Sequence, residues 1–522
     1  MLRAPYEVGK SYITMDTKLE DLCEKGFWQE ALQLVWIHDE RQGWQVSHAM
    51  LYLMLQKCTK KQDLGVGKQA HCLVVKYGLQ FEPYLHRLLI RMYAVCGSMS
   101  DANRVFQQHQ APDIFAWTEI ISMNARIGQN EQAIKLYEQM QEFDILPDGH
   151  VYVMALKCCM GARDIKRGKL IHAQIIENDM ESDAFVRNML IDMHAKLGSL
   201  HDAQNLFEKS SLKCDVIAHG VIIGGYLENG LPTQAVQVFG QMQERGVKPD
   251  RVIILSTLKA ISTLECLHEG RMLHIHILIN GFESEISVLN TLIDMYVKCG
   301  SLEDAKRVFD RSWRLQDLVT WNVMMSGLVM FRHDEDVYWL YGELLCNGFS
   351  PSHITIMNVL KACPIGGSSY EGRWIHSDVV ESGLYSHVLV GNGLIEMYTR
   401  CNQIEDAESV FRNLSEKNVV SWSALISGYA NNDQGGDTAR VFKEMLHVGI
   451  EPNTATFISI LKSYSRVKNL WQGKIIHCYV RELDAGCELL VMNTVMDMYM
   501  NCGSFVDAFQ VFRGMESKDI TT

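Results

Sequence analysis

One segment recurs five times along the chain, at intervals of 101 or 102 residues. Its copies read MYAVCGSMSDANRVF, MHAKLGSLHDAQNLF, MYVKCGSLEDAKRVF, MYTRCNQIEDAESVF and MYMNCGSFVDAFQVF, beginning at Met92, Met193, Met295, Met397 and Met498. A period kept in register over the whole length predicts stacked supersecondary units, because units this small cannot bury an apolar face alone. We therefore expect a ligand to bind along an extended surface and not in one enclosed pocket.

The composition fits a packed helical protein without a membrane segment. Of the 522 residues, 47% are hydrophobic and 21% charged, and only 9 are proline. No apolar stretch approaches the ~20 residues that span a bilayer. The 15 cysteines include no CxxC spacing, which favours packing thiols in a reducing compartment. The formal charge of −13 argues against nonspecific nucleic-acid binding, which needs a broad basic surface.

Each period divides into three predicted helical hairpins, and the segment 114–148 shows the pattern. Apolar residues at helical spacing lie on both sides of Gly128, which is expected to end the first helix in the left-handed conformation. Pro147 stops the second helix. Ala133 lies where two helices must approach closely, and its equivalents are Ala203, Ala235, Ala305, Ala407 and Ala508.

These units resemble pentatricopeptide repeats of the plant PLS class, in which P-, L- and S-type motifs alternate. The resemblance covers nearly the whole chain, and the 34-residue period of tetratricopeptide repeats does not explain the long-long-short triplet. It implies an all-α fold, a right-handed α-solenoid superhelix of about fifteen helix-turn-helix hairpins. After an N-terminal extension at 1–11, the array is expected over 12–519, and 520–522 would begin a truncated further repeat.

The boundaries of the fifteen expected repeats follow from aligning the three motif types. The P-type repeats, of which the first is degenerate, are 12–47, 114–148, 216–250, 318–352 and 419–453. The L-type repeats are 48–82, 149–183, 251–285, 353–387 and 454–488. The S-type repeats are 83–113, 184–215, 286–317, 388–418 and 489–519.

In this family each repeat's first helix faces one base of single-stranded RNA, and the fifth and last residues of the motif read it. A short polar side chain in the first turn can reach a Watson–Crick edge, and the last residue can orient it. The candidate pairs are Thr118/Asp148, Asn188/Asp215, Asn290/Asp317, Asn322/Ser352, Asn392/Asn418, Ser423/Asn453 and Asn493/Asp519. The family's code then implies the target 5′-G-n-U-n-n-U-C-n-Y-A-n-U-3′ from residue 114 onward, with Arg87 and Gly220 unassigned.

An alternative interpretation is that these Asn and Asp residues only cap helices and turns. The L-type repeats argue against it, because their fifth residues are Tyr52, Val153, Leu255, Met357 and Ile458. A capping requirement would not vanish in every third hairpin. The alternation therefore favours base reading by P- and S-type repeats.

Basic residues on the same helices are candidate phosphate contacts. The L-type repeats carry Lys157, Lys259, Lys361 and Lys462 four residues after the fifth position, hence on the same helix face. The S-type repeats carry Lys196, Lys298 and Arg400. An equal alternative for the S-type set is ordinary pairing with the acidic residue four positions earlier, Asp192, Asp294 or Glu396.

A histidine recurs in every L-type repeat, at His71, His172, His274, His376 and His477. These residues occupy a slot that is aromatic in the other repeats and lie about one period apart, too far to share one ion. We therefore expect core or interface histidines, with no metal site and no cofactor. The preceding Gly-Lys or Gly-Arg pairs, such as Gly168-Lys169 and Gly270-Arg271, lack P-loop surroundings and are interpreted as small packing residues followed by solvated charges.

The resemblance implies sequence-specific binding of organellar single-stranded RNA, with target-site recognition for C-to-U editing as the favoured role. The alternatives are an RNA splicing or stability factor and a scaffold that binds a protein helix. No enzyme activity is expected, because the deaminase domain that often follows such arrays carries HxE followed by PCxxC, and that combination does not occur. Editing-complex proteins or a deaminase in trans are the expected partners, and a membrane is not.

Two expectations concern the ends and the location of the chain. The family resemblance implies a mitochondrion or chloroplast, although the first residues contain no clear transit peptide. The chain stops where another P-type repeat should begin, which predicts a fragment of a longer protein.

Overall fold

The computed structural model describes residues 48–108, 112–210, 215–363, 369–432, 434–482 and 489–515, together with Leu22 and Glu30. The described residues form helices and no strand, as the all-α prediction requires. The expected repeat at 12–47 lies outside these ranges except for those two single residues, and so do Asp519 and the expected extensions at 1–11 and 520–522. The repeat boundaries therefore stay a prediction, while the helix bounds are observed.

The chain separates into two compact units, and twelve described helices lie wholly in the first, Met1–Ala260. They are α1 (His48–Lys61), α2 (Leu64–Lys76), α3 (Pro83–Val95), α4 (Met99–Gln107), α5 (Ile114–Arg126), α6 (Asn130–Glu142), α7 (Gly149–Ala162), α8 (Ile165–Glu177), α9 (Ala184–Lys196), α10 (Leu200–Ser210), α11 (Val216–Glu228) and α12 (Pro232–Glu244). Helix α13 (Arg251–Leu264) contains the boundary between the units.

The second compact unit, Ile261–Thr522, contains the remaining described helices. They are α14 (Leu267–Ile279), α15 (Ile286–Lys298), α16 (Leu302–Arg311), α17 (Leu318–Met330), α18 (Asp334–Cys346), α19 (His353–Ala362), α20 (Ser369–Glu381), α21 (Val388–Arg400), α22 (Ile404–Asn413), α23 (Val419–Asn431), α24 (Gly435–His447), α25 (Thr454–Arg466), α26 (Leu470–Glu482), α27 (Leu489–Asn501) and α28 (Phe505–Gly514). Short 3₁₀ turns at Met180–Ser182, Phe282–Ser284 and Leu384–Ser386 precede α9, α15 and α21.

Odd-numbered helices are the first helices of the hairpins, and even-numbered helices are the second. In the first compact unit, α5 packs against α3 and α7 as well as against its partner α6. In the second, α23 packs in the same way against α21, α25 and α24. The second helices also contact the next first helix, as α6 contacts α7. Within each compact unit the first helices therefore form one continuous layer, and their first turns follow one another along it.

The hairpin turns depend on a residue in the left-handed backbone region. Gly128 has φ +81° and donates its amide hydrogen to the Ala125 carbonyl at 3.1 Å, which ends α5 as predicted. Asn402 takes the same role with φ +61°, at the copy where the recurring segment has Asn instead of Gly. Asn tolerates this region because its short polar side chain can hydrogen-bond locally.

Aromatic pairs join consecutive hairpins in the core. Trp117 of α5 meets Phe106 of α4 in an edge-on contact, with ring centroids 4.7 Å apart. The same contact recurs between Trp321 and Phe309 at 5.1 Å. Such a pair contributes about 0.5–1.5 kcal/mol beyond the area that it buries. The predicted close-approach alanines are at most 5% exposed: Ala133, Ala203, Ala235, Ala305, Ala407 and Ala508.

The methionine of the recurring segment packs on a glycine of the preceding hairpin. A Cβ atom added to Gly270 of α14 would lie 2.5 Å from the Met295 sulfur of α15. The same close contact recurs in all five copies, at Gly67/Met92, Gly168/Met193, Gly270/Met295, Gly372/Met397 and Gly473/Met498. The glycines of the Gly-Lys and Gly-Arg pairs are therefore packing residues, as predicted.

Candidate nucleic-acid interface

Most described first helices begin directly after a residue whose side chain caps them, although Glu285 before α15 and His387 before α21 make no such bond. Asp148 precedes α7 and its Oδ1 accepts a hydrogen bond of 2.8 Å from the Val151 amide. A side-chain cap of this kind also comes from Asp113, Asp183, Asp215, Asp250, Asp317, Ser352, Asn418 and Asn453. The predicted last residue of a repeat is thus the N-cap of the next first helix, so the capping interpretation describes a real contact.

Three of these capping residues also contact the fifth residue of the S-type repeat that they end. We call this fifth residue the reader, because it is predicted to contact the base. Asn188 Nδ2 donates to Asp215 Oδ2 at 2.8 Å, and Asn290 Nδ2 donates to Asp317 Oδ1 at 3.3 Å. A third bond runs from Asn392 Nδ2 to the Asn418 side-chain carbonyl at 3.3 Å. Capping and orienting a reader are therefore compatible roles of one side chain.

Two predicted pairs in P-type repeats are joined in the same way. Asn322 Nδ2 donates to Ser352 Oγ at 3.4 Å, and Ser423 Oγ donates to Asn453 Oδ1 at 3.1 Å. Thr118 differs, because its hydroxyl donates to the Ile114 carbonyl of its own helix at 2.7 Å. Among the described contacts, Thr118 and Asp148 share no hydrogen bond.

The carbonyl oxygens of the reader amides fall into two groups. Asn322 Oδ1 accepts from Thr355 Oγ1 at 2.8 Å, and Asn392 Oδ1 accepts from Ser421 Oγ at 2.6 Å. The carbonyl oxygens of Asn188 and Asn290 are buried and have no hydrogen-bond partner in the described part of the chain. A buried acceptor without a partner costs roughly 1–3 kcal/mol, which makes these two oxygens candidates for contact with a ligand donor.

The chemistry of the following first turn explains the difference. Ala218 stands at the third helical position after Asp215 and has no hydroxyl to offer Asn188. Thr320 stands at the equivalent position after Asp317, but its hydroxyl donates to Asp317 Oδ1 at 2.8 Å. Burial by itself would raise the pKa of Asp317, and the hydrogen bonds from Thr320 and Asn290 outweigh it, so that the pKa is lowered. Asp317 therefore remains an anionic acceptor near neutral pH.

An exposed apolar residue stands three positions before most fifth residues, a feature that the sequence analysis missed. Phe185 is 58% exposed beside Asn188, and Val319 is 53% exposed beside Asn322. Among the described residues, the exposed apolar side chains at the second position of a first helix are Tyr84, Phe115, Phe185, Ile217, Val252, Val319, Ile354, Leu389, Val420 and Leu490. The signal was present in the sequence, because aligned first turns carry these residues repeatedly where a helix should face solvent.

The apolar fifth residues of L-type repeats are at least partly covered. Val153 is fully buried, and Met357 lies against the position where Gly393 would carry a Cβ atom. Except for the Tyr52 hydroxyl, which accepts from Gln56 at 3.4 Å, their side chains therefore offer no polar group at the position where the S-type repeats carry asparagine.

The predicted phosphate contacts differ between the two sets. Lys157, Lys259, Lys361 and Lys462 of the L-type set are all exposed. In the S-type set, Lys196 pairs with Asp192 at 3.0 Å and Lys298 with Asp294 at 2.7 Å, which are the local ion pairs considered as the alternative. Arg400 instead donates from Nη2 to the Leu360 carbonyl at 2.8 Å.

The recurring histidines lie between hairpins. Nδ1 of His274 and the Tyr296 hydroxyl share a hydrogen bond of 2.8 Å, and burial lowers the pKa of His274. The equivalent pairs are His71/Tyr93, His376/Tyr398 and His477/Tyr499, and in one copy His172/His194. Within the described ranges, no group of three or more His, Cys, Asp or Glu side chains is arranged to hold a metal ion.

Two fifth residues, Gly220 and Arg87, have no assigned base. Gly220 offers no side chain, and a Cβ atom there would make only ordinary contact with Ile253 at 3.4 Å. Arg87 packs on the rings of Tyr84 and Phe115. No described helix has the length and apolar character needed to cross a membrane.

Comparison with known proteins finds matches to one type of helical repeat along the chain. The profile described as PPR repeat matches residues 115–145, 185–210, 217–247, 287–315, 319–349, 392–419 and 491–520, and a related PPR repeat family profile matches 417–466. A chloroplastic pentatricopeptide repeat-containing protein of Arabidopsis thaliana is 29% identical over 90% of the chain. A mitochondrial one from the same plant is 27% identical over 97%. The chain spans 58% and 66% of the lengths of these two relatives.

A solved structure supports the same fold. The crystal structure of the pentatricopeptide repeat protein PPR10 from maize aligns with a TM-score of 0.60 and 16% identity, covering 97% of this chain and 84% of PPR10. PPR10 in complex with an 18-nt psaJ RNA element aligns with a TM-score of 0.56 and 17% identity, covering 98% and 76%. The predicted helical-repeat fold is thereby confirmed, and the organellar names of the relatives agree with the expected localisation. The chain therefore contains pentatricopeptide repeats and is similar over most of its length to plant pentatricopeptide repeat-containing proteins.

Proposed function

We propose that the chain binds single-stranded RNA in a sequence-specific manner, with one base facing each repeat. The observation that carries this proposal is the hydrogen bond between the fifth residue of a repeat and the last residue of the same repeat, which also caps the first helix of the next repeat. It is formed at Asn188, Asn290, Asn322, Asn392 and Ser423. Because each bond holds a polar side chain in a fixed orientation, it prepares that side chain to select one Watson–Crick edge.

The two groups of asparagine carbonyls support different bases. The unpaired oxygens of Asn188 and Asn290 are acceptors, which complement the N3–H donor of uracil. The carbonyl of Asn322 is already occupied by the Thr355 hydroxyl, and one amide hydrogen bonds Ser352, so the second amide hydrogen is the group left to meet the N3 acceptor of cytosine. This division agrees with the bases that the family's code implies, U at Asn188 and Asn290 and C at Asn322.

The exposed apolar side chains supply a second part of the proposed site. An aromatic or aliphatic surface such as Phe185 or Val319, three residues before a reader, can pack against the face of the base whose edge is read. Stacking on an aromatic side chain contributes about 1–3 kcal/mol per base and does not depend on base identity. Affinity would then come mainly from these faces, and selectivity from the polar pairs.

The acidic net charge is compatible with RNA binding if exposed lysine side chains lie along the path of the RNA phosphates. Lys157, Lys361 and Lys462 are exposed and make no ion pair with a described carboxylate. They are therefore the preferred phosphate contacts, with Lys259 as the fourth member of the set. Lys196 and Lys298 form ion pairs with Asp192 and Asp294, so they would contribute less to phosphate binding.

We assign the chain to the PLS class and propose target-site recognition for C-to-U editing in a mitochondrion or chloroplast as its role. The three repeat types differ at the fifth position, where the L-type repeats carry apolar residues and most P- and S-type repeats polar ones. In this role the repeats recognise the transcript, and editing-complex proteins or a deaminase acting in trans are the proposed partners.

A binding titration tests the proposal. The protein is titrated against a labelled RNA of sequence 5′-GnUnnUCnYAnU-3′, with fixed bases at each n, and against a scrambled RNA of equal composition. We call the RNA with the target sequence the ordered RNA. We expect the protein to bind it at least about tenfold more tightly than the scrambled RNA, the ratio that 1.4 kcal/mol of selective contacts produces. Equal affinity for both, or no binding to either, would show that the pairs do not read RNA.

A further inference from the structure

Four planar groups from three consecutive first helices form a stacked column next to the first predicted reader. The ring of Tyr52 in α1 stacks on Tyr84 of α3 with centroids 5.0 Å apart and an angle of 27° between planes. The Arg87 guanidinium follows at 5.4 Å from the Tyr84 centroid, and the Phe115 ring of α5 lies 4.8 Å from the same guanidinium. Arg87 therefore packs on two aromatic rings.

The column lines a cleft that carries more positive than negative groups. Besides the planar groups, the cleft is lined by Lys60, Arg91 and Glu119, and by Thr118, the first predicted reader. Arg91 Nε lies 3.7 Å from a Glu119 oxygen, which leaves Lys60 and Arg87 without a carboxylate among the described residues. This local excess of positive charge contrasts with the formal net charge of −13.

The bonding of Arg87 determines what it can offer to a ligand. Its Nε donates to the Pro83 carbonyl at 3.2 Å, and its guanidinium carbon lies over the Tyr84 and Phe115 rings. The N–H groups of its two terminal nitrogens have no hydrogen-bond partner among the described residues. Asp113 does not orient them, because its carboxylate caps α5 through the Ala116 amide at 2.9 Å and makes no bond to Arg87 in the described structure.

We propose that this cleft binds a backbone phosphate of the RNA, immediately 5′ of the base that faces Thr118, without selecting a base. A guanidinium fork presents parallel N–H groups that match two phosphate oxygens, and Arg87 already packs on two aromatic rings, so its free N–H groups are what it offers to a ligand. Lys60 adds a second cation at the same cleft. The inference rests on the proposed RNA binding and extends it to the repeat that the base code leaves unassigned.

RNAs of two lengths, the wild-type protein and three variants test this proposal. The ordered 12-nucleotide RNA is compared with the same RNA extended by three nucleotides at its 5′ end. Wild type should bind the extended RNA at least about threefold more tightly than the 12-mer, whereas Arg87→Gln should bind both equally. With the extended RNA, the slope of log affinity against log salt should fall by about 0.7 in Arg87→Gln, the value for one lost phosphate contact on a single strand. Arg104→Gln, which removes an equal charge from an exposed side chain on α4, should behave as wild type.

The outcomes separate the proposed phosphate contact of Arg87, which we call the anchor, from the base code. Loss of the extension's benefit in Arg87→Gln, with the ordered sequence still preferred over the scrambled one, supports the anchor. An unchanged benefit and an unchanged slope overturn it while leaving the base code intact. An affinity change that depends on which base replaces the first 5′ nucleotide also overturns it, because Arg87 would then read a base. If wild type does not prefer the ordered RNA, the proposed function itself fails. Arg87→Lys, which keeps the charge but not the fork, should retain the salt slope and lose part of the affinity.

Discussion

The side-chain amide of Asn188 donates a 2.8 Å hydrogen bond to the carboxylate of Asp215, which lies at the end of the same repeat. The other oxygen of that carboxylate accepts from the Ile217 amide at 2.9 Å and caps α11. One side chain thus starts a helix and orients a candidate reader in the preceding helix. Stability and proposed recognition are coupled at this residue, and they can be separated by choosing the right variants.

Asp215→Ala should lower both stability and base selectivity. Removing an N-cap carboxylate costs about 1 kcal/mol of unfolding free energy, which urea titration measures. The preference for U at the third base of the target should also fall, because Asn188 loses the acceptor that orients it. Asp164→Ala is the matched control, since Asp164 caps the second helix α8 through the Arg167 amide at 3.1 Å, and α8 carries no predicted reader. If Asp164→Ala changed selectivity as strongly, orientation by the cap would be the wrong explanation.

Asn290→Thr should move the preferred base at the sixth target position from U towards G. By the family's code, Thr with Asp resembles a guanine reader, and Asp317 is retained in this variant. We expect the ratio of affinities for U- and G-containing RNAs to change by about tenfold or more, equivalent to 1.4 kcal/mol. Asn205→Thr on α10, where the side chain is exposed, makes the same substitution away from the first turns and should leave the ratio unchanged. An unaltered ratio in Asn290→Thr would rule out Asn290 as a reader.

The sequence predicted the helical architecture well because packing imposes a period on it. Ala133 and Gly128 recur where helices approach and where hairpins turn, and both have the predicted environment. The contacts of single readers were harder to predict, because local and long-range hydrogen bonds compete for the same atom. Thr118 satisfies its hydroxyl within its own helix, whereas Ser423 bonds both its own helix and Asn453. Arg400 donates to a carbonyl of a neighbouring helix, a bond that the sequence did not predict, and its phosphate contact stays a prediction.

Gly270→Ala should destabilise the protein although alanine is the better helix former. The added Cβ would lie 2.5 Å from the Met295 sulfur, and overpacking of this kind typically costs about 1–3 kcal/mol, against a gain of about 1 kcal/mol in helix propensity. Denaturant unfolding measures the net change. In a Met295→Ala background the clash is absent, so the same glycine substitution should become stabilising.

Gly240→Ala provides the control for that experiment. Gly240 lies in α12, and a Cβ atom there would meet nothing within 4 Å. We expect a gain of about 0.5–1 kcal/mol in unfolding free energy. Equal gains at Gly240 and Gly270 would mean that the methionine contact does not constrain the glycine.

The paired histidines His172 and His194 predict a loss of stability in mild acid. Their ring nitrogens are 2.9 Å apart, and His194 is 1% exposed. Burial is the largest cause that lowers the pKa of His194 to about 4, with repulsion from His172 adding to it and Asp202 opposing it. The unfolded chain, with a pKa near 6.5, binds a proton before the folded chain does. Stability is therefore complete above about pH 6.5 and is lost as pH falls towards 4, by roughly 2 kcal/mol at pH 5.

His194→Tyr should remove most of this pH dependence. Tyrosine restores the His–Tyr pair found at His274 and Tyr296, and it carries no group that must be protonated in this range. Urea unfolding at pH 7.5 and pH 5 measures the difference for wild type and variant. His268→Tyr, at an exposed position of α14, should keep the wild-type difference. Because burial also lowers the pKa of His172 and of the other recurring histidines, a smaller slope of the same sign should persist in His194→Tyr. A full wild-type slope in this variant would mean that acid acts on the protein elsewhere.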